Sequence, residues 1–276
     1  AGIEQPPNGF VPAGIFDPVP LTFRDGRYLG QDNIGWDIVE SAVSLLSTLV
    51  FLNERNGYMY ERKLMELKEA ERITFQRLRI KSLDTYGTAS SIDAFEDGIN
   101  CRYGGDFDDA SVDNACKLAA YALTSGGAGR YAHPSRIRAN DHTCENIRIM
   151  VRRTVGFFAN MGPVTRIGFD MPGGYGGRIT EGYGNYLTGS TVWDMTTSTE
   201  PLPKDKVLQL LVRYVMCRHS DDPEIGSVTN MGLVNPRLNC AYIVSGSRID
   251  PSVIEHVEKE IVGYRPDPTV RVPINV

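Results

Sequence analysis

The residues best placed to do chemistry lie in the stretch GYGNYLTGSTVWDMT, from Gly182 to Thr196. An apolar-rich segment with Tyr186 and Leu187 passes through a Thr-Gly-Ser turn into a second one, Thr191, Val192 and Trp193, which ends on Asp194. Two such segments around a short turn predict a β-hairpin, and the hairpin presents a carboxylate where the chain leaves the sheet. Carboxylates are the natural oxygen ligands of hard divalent cations such as Mg²⁺ and Mn²⁺. The plainer role for Asp194 is to accept a hydrogen bond from nearby backbone, and for Trp193 to fill the core. A second chemical signal is cationic. Arg148 and Arg152 stand at i, i+4 with Arg153 beside them, and guanidinium groups pair bidentately with phosphate. An ion-paired helix face is the ordinary alternative.

Other motifs carry less. His133, His142, His219 and His256 show no metal-ligand spacing. The glycine-rich pieces GGAG (126–129) and GGYGG (173–177) lack the lysine of a P-loop and the spacing of a dinucleotide fingerprint, so they predict turns. Five cysteines without a CxxC pair predict reduced, buried thiols rather than a disulfide framework.

The chain has 276 residues, 41% of them hydrophobic, and a net charge of −5, which argues against a generic nucleic-acid coat. The charge is uneven. Between Gly129 and Arg166, seven arginines face only Asp141 and Glu145, a local excess of five positive charges. The opening AGIEQPPNGF has neither the basic region nor the apolar core of a secretory leader. The most apolar run, Ile38–Leu52, is too short to span a bilayer and is interrupted by Glu40 and four Ser or Thr. The expectation is a soluble cytoplasmic protein without a membrane partner; its oligomeric state is left open.

The elements that position these residues follow from periodicity and punctuation. The first 35 residues, rich in Pro and Gly, predict an irregular arm. Helices are predicted from Trp36 to about Asn53, over Tyr58–Leu83, over Ser111–Leu123, from a cap at Asp141 or Thr143 to about Met161, over Lys204–Cys217, and from Asp250-Pro251 to about Val262. Strands are predicted at Val164–Phe169, Gly177–Thr180, Thr191–Asp194, Val228–Val234 and Ala241–Ser245. The order in the second half is α-β-β-β-α-β-β-α. This predicts an α/β fold, with a mixed central β-sheet flanked by helices over residues 126–276. A mostly helical N-terminal extension would occupy residues 1–125.

That order, with Trp193-Asp194 followed by a helix bearing Gln209 and Tyr214, resembles the PD-(D/E)XK nuclease superfamily in its RecB-like form. The family pattern places an acid on the first helix, an Asp near the second strand, D/E-x-K on the third, and a Gln…Tyr helix afterwards. More closely, the chain is similar to a bacterial group of that type through GGY (173–175), GYGNYL (182–187), STVWDMTTS (190–198), LQLLVRYVMCRHS (208–220) and GLVNPRLN (232–239). The likeness covers somewhat over half the chain and fades toward the N-terminus. It implies a restriction-endonuclease-like core, with Asp194 and Glu145 as the anionic ligands of Mg²⁺ or Mn²⁺ and Gln209 and Tyr214 at the site.

The departures bear on the chemistry. Tyr183 and Asn185 stand where the group has acids, and Thr196 stands where it has the lysine of D-x-K. Phosphodiester hydrolysis of this kind needs a divalent ion to polarise the phosphate and activate water, and a cation to offset the charge of the transition state. Asn185 offers a neutral oxygen and Thr196 no charge. Migrated substitutes are Glu181 for the acid and Arg178, Lys204 or Lys206 for the cation. The leading expectation is a catalytically degenerate protein without a cofactor. It would bind DNA or RNA through Arg148, Arg152, Arg153 and Arg178, or a protein partner, without cleavage, in the phage-defence or mobile-element setting common for such families. The alternatives are an active metal-dependent DNase with migrated residues and a purely structural or protein-interaction role.

Overall fold

A computed structural model describes residues 3–21, 25–55, 107–123 and 136–264. The expected helix over Tyr58–Leu83 and the loop around Gly126 lie outside them. The described chain is α/β, with a six-stranded mixed sheet flanked by helices. Its strands are β1 (Asp17–Pro20), β2 (Arg166–Phe169), β3 (Gly184–Thr188), β4 (Thr191–Met195), β5 (Asn230–Asn235) and β6 (Cys240–Ser245). Across the sheet they run β1-β6-β5-β4-β3-β2. Neighbours are antiparallel except β4 and β5. A parallel pair needs a crossover connection, supplied here by α4 (Lys204–Arg218).

The remaining helices are α1 (Trp36–Arg55), α2 (Asp109–Leu123), α3 (Asp141–Met161), the short α5 (Pro223–Gly226) and α6 (Pro251–His256), which continues as a π turn over Val257–Val262. Among the described residues, no helix is long and apolar enough to cross a membrane. Helix α3 is capped one residue earlier than expected, because the side chain of Asn140 accepts from the Thr143 amide at 2.9 Å.

Two expectations are corrected. The N-terminal arm contributes an edge strand, β1, paired with β6. Its prolines, Pro18 and Pro20, have no amide to donate and are compatible with an edge. Gly177–Thr180 is not a strand: the amides of Arg178 and Ile179 both donate to the Val262 carbonyl, at 3.0 and 3.3 Å, so the segment lies along the π turn.

Alternation along the hairpin splits its side chains between two layers. Leu187 and Val192 join Leu210, Leu211 and Val215 of α4 in one core. Tyr186 and Trp193 join Phe157 and Phe158 of α3 in another, with the Trp193 ring edge-on to both at 5.1 and 5.7 Å. Trp193 is fully buried and donates to Thr188 Oγ1 at 2.7 Å, so it is core. Helix α1 packs on α2 and α3, and its Phe51 meets Tyr186 edge-on at 5.7 Å. The helices before residue 126 therefore share a core with those after it. Cys116, Cys144 and Cys217 are buried, and burial raises their thiols, to about 11 for Cys144 and about 12 for Cys217.

Candidate functional site

Helix α4 has an apolar side, with Val207, Leu210, Leu211 and Tyr214 buried. Lys206, Gln209 and Arg213 recur at i, i+3 and i+7, which places them together on one face. All three line a cavity of about 360 Å³ whose opposite walls are α1, through Glu40, Ser44 and Thr48, and the hairpin, through Asn185 and Asp194. Asp194 lies two residues after Val192 and so shares its α4-facing side of the sheet. Tyr186 pairs with Trp193 across the hairpin, which brings Asn185 beside Asp194.

The cavity holds two carboxylates and two cations, and every carboxylate oxygen is engaged. Asp194, only 2% exposed, receives at Oδ1 the Met195 amide at 2.9 Å and the Asn185 side-chain amide, and at Oδ2 the Arg213 guanidinium. Asn185 must turn its nitrogen to Asp194, since the reverse would set two oxygens against each other. Glu40 receives the Lys206 ammonium at Oε1 and the Thr197 amide at 3.1 Å at Oε2. Behind the hairpin, Tyr186 donates to the Ser44 carbonyl at 3.4 Å, and burial raises its phenol.

Of the residues expected at a site, the structure brings Asp194, Asn185, Gln209 and Lys206, one of the three candidate cations, into this cavity. Glu145 is elsewhere, on α3, bonded to Arg27 at 3.0 Å, Arg148 at 3.1 Å and Arg152 at 3.3 Å. Burial works against its charge, but the hydrogen bond from Arg148 and the charge of Arg152 hold its carboxyl below the usual range. The helix acid in the cavity is Glu40 instead. Glu181 lines a neighbouring groove. Tyr214 is 1% exposed and its hydroxyl abuts Gly246, so it is a core residue. Thr196 is fully buried; its amide donates to Val234 O at 2.9 Å and its hydroxyl accepts from the Ser198 amide at 3.3 Å.

Five of the six described arginines in the arginine-rich window are ion-paired. Arg148 also pairs with Asp109 at 2.6 Å, Arg138 with Asp113 at 3.0 Å, and Arg166 with Glu224 at 2.7 Å. Arg153 is 1% exposed, bonded to Asp25 at 3.0 Å and to the carbonyls of Pro236 and Arg237 at 2.8 and 3.1 Å. It ties the arm to the β5–β6 turn and is closed to a ligand. Arg178 is exposed and pairs with Glu260 beside the π turn, and Lys204 donates to the Pro7 carbonyl.

Sequence reasoning missed Glu40 and Arg213. A lone acid inside an otherwise apolar helix requires a partner once buried, and Arg213 lies four residues after Gln209 on the same face; both signals were present. No family model, curated protein or solved structure matches this chain.

The residues present do not fit a divalent-cation site as they are arranged. Every oxygen of Glu40 and Asp194 already carries a donor, and one oxygen of each is held by a side-chain cation. Both cations keep unused donors, because an ammonium has three N–H groups and a guanidinium five. The carboxylates anchor Lys206 and Arg213 while their spare N–H groups remain for an anion.

Proposed function

We propose that this chain binds nucleic acid without cleaving it, using a cavity laid out like a PD-(D/E)XK active site. A backbone phosphate would enter beside Lys206, Gln209 and Arg213. The supporting observation is that Asp194 is bonded by Asn185, the Met195 amide and Arg213. An amide and a guanidinium engage the carboxylate that would otherwise hold a metal, converting a cation-binding acid into an anchor for a phosphate-binding cation. Arg153 is closed off by burial, and Arg148, Arg152 and Arg178 do not line this cavity, so a phosphate in it would be met by α4.

The test is binding of labelled DNA and RNA oligonucleotides across a salt series. Loss of one phosphate contact lowers the slope of log affinity against log salt by about one and weakens binding uniformly across sequences. Lys206→Gln is expected to do this, and Arg148→Gln to leave the slope unchanged. A slope that responds to Arg148→Gln but not to Lys206→Gln moves the interface to α3, and absent binding by the wild type overturns the reading.

A further inference from the structure

Beside the cavity runs an open groove of about 470 Å³, and Gln209 and Arg213 line both. Its floor is apolar, formed by Leu208, Val212, Met216 and Ile261. On its wall stands Tyr183, 61% exposed, and Glu181 and Asp205 add carboxylates. Gln5 donates to Asp205 at 2.9 Å, which fixes that carboxylate with its other oxygen available.

Resting on the nucleic-acid reading above, we propose that this groove receives an unpaired nucleobase adjacent to the phosphate held by Lys206 and Arg213, which makes single strands the preferred ligand. An exposed aromatic ring offers stacking to any base, since every base has a π-face. An apolar floor suits the rest of the ring, and carboxylates accept from exocyclic amino groups such as that of cytosine. Arg213 bridges the two compartments, as a nucleotide's own phosphate and base require. A paired base cannot enter, because both its faces are covered by stacked neighbours.

The experiment compares three probes by fluorescence anisotropy: a short deoxycytidine homopolymer, its duplex with deoxyguanosine, and a deoxyribose-phosphate strand of equal length without bases. Each is titrated with wild type, Tyr183→Ala and Tyr183→Phe. The expected result is tighter binding of the single strand than of the duplex, a loss of about tenfold with Tyr183→Ala, retention with Tyr183→Phe, and no effect of either change on the base-free strand. Wild type that binds the base-free and deoxycytidine strands equally, or Tyr183→Ala that weakens both alike, overturns the groove and leaves the phosphate site standing. Wild type that binds none of the three overturns the nucleic-acid reading itself.

Discussion

Arg213 on α4 and Asp194 at the end of β4 lie 19 residues apart and meet as a guanidinium–carboxylate pair in the wall of one cavity. The carboxylate side chain is 3% exposed and the guanidinium side chain 26%. The pair therefore ties the crossover helix to the strand it leaves, and it sets the charge that a ligand would meet.

Breaking the pair from either side should give unequal results. Arg213→Met leaves a buried carboxylate with only neutral donors and is expected to cost about 3 kcal/mol of stability. Asp194→Asn leaves the cation, which has a route to solvent, and should cost about 1 kcal/mol. The double substitution should cost less than the sum of the two. Urea unfolding midpoints check this; strict additivity would mean that the two groups do not interact.

The Arg153–Asp25 pair, which ties the arm to the β5–β6 turn, predicts a pH dependence. The hydrogen bond from Arg153 lowers the Asp25 carboxyl, more than burial raises it. A carboxyl lowered in the folded state stabilises the protein above its unfolded value, about 3.9, and that contribution is lost as pH falls through the lower folded value. Stability should thus fall as pH drops below about 4, and Arg153→Met should flatten that fall while lowering stability at neutral pH. Unfolding curves collected from neutral to acid pH read both effects. An unchanged acid limb in the variant would remove Asp25 from the account.

Gly232 of β5 lies opposite Trp193 of β4, and a Cβ there would sit 2.3 Å from the indole ring. Both residues are in the sheet interior, so the ring cannot swing into solvent. Gly232→Ala should lower stability by about 2 kcal/mol through overpacking, seen as a lower thermal midpoint without loss of the fold. A neutral effect would mean that the core beneath the hairpin is looser than its packing indicates.

How much of this the sequence made legible divides along local and distant contacts. The hairpin, α3, α4 and the β5–β6 pair were readable because alternation, turns and caps are encoded within a few residues. Asp194 and Gln209 inherited that legibility. Glu40 did not, because it lies more than a hundred residues upstream in a run whose composition reads as core. Glu145 was the misleading acid. It has the right type near a helix start, but it is bonded to three arginines and does not line the cavity. Lys206 is one of three candidate migrated cations, and its helical phase relative to Gln209 separates it from Lys204. The arginine-rich window misled for a related reason: four of the carboxylates that pair with its described arginines, Asp25, Asp109, Asp113 and Glu224, come from segments outside it.

The central claim is that the cavity binds a phosphodiester backbone and does not hydrolyse it. Incubation of the protein with single- and double-stranded DNA and RNA in Mg²⁺ or Mn²⁺, read by denaturing gels alongside binding, tests this most directly. The account predicts bound, intact strands with both metals. Cleavage by the wild type that disappears in a folded Asp194→Ala variant would contradict it, and would make Glu40, Asp194 and Lys206 the working set of an active nuclease.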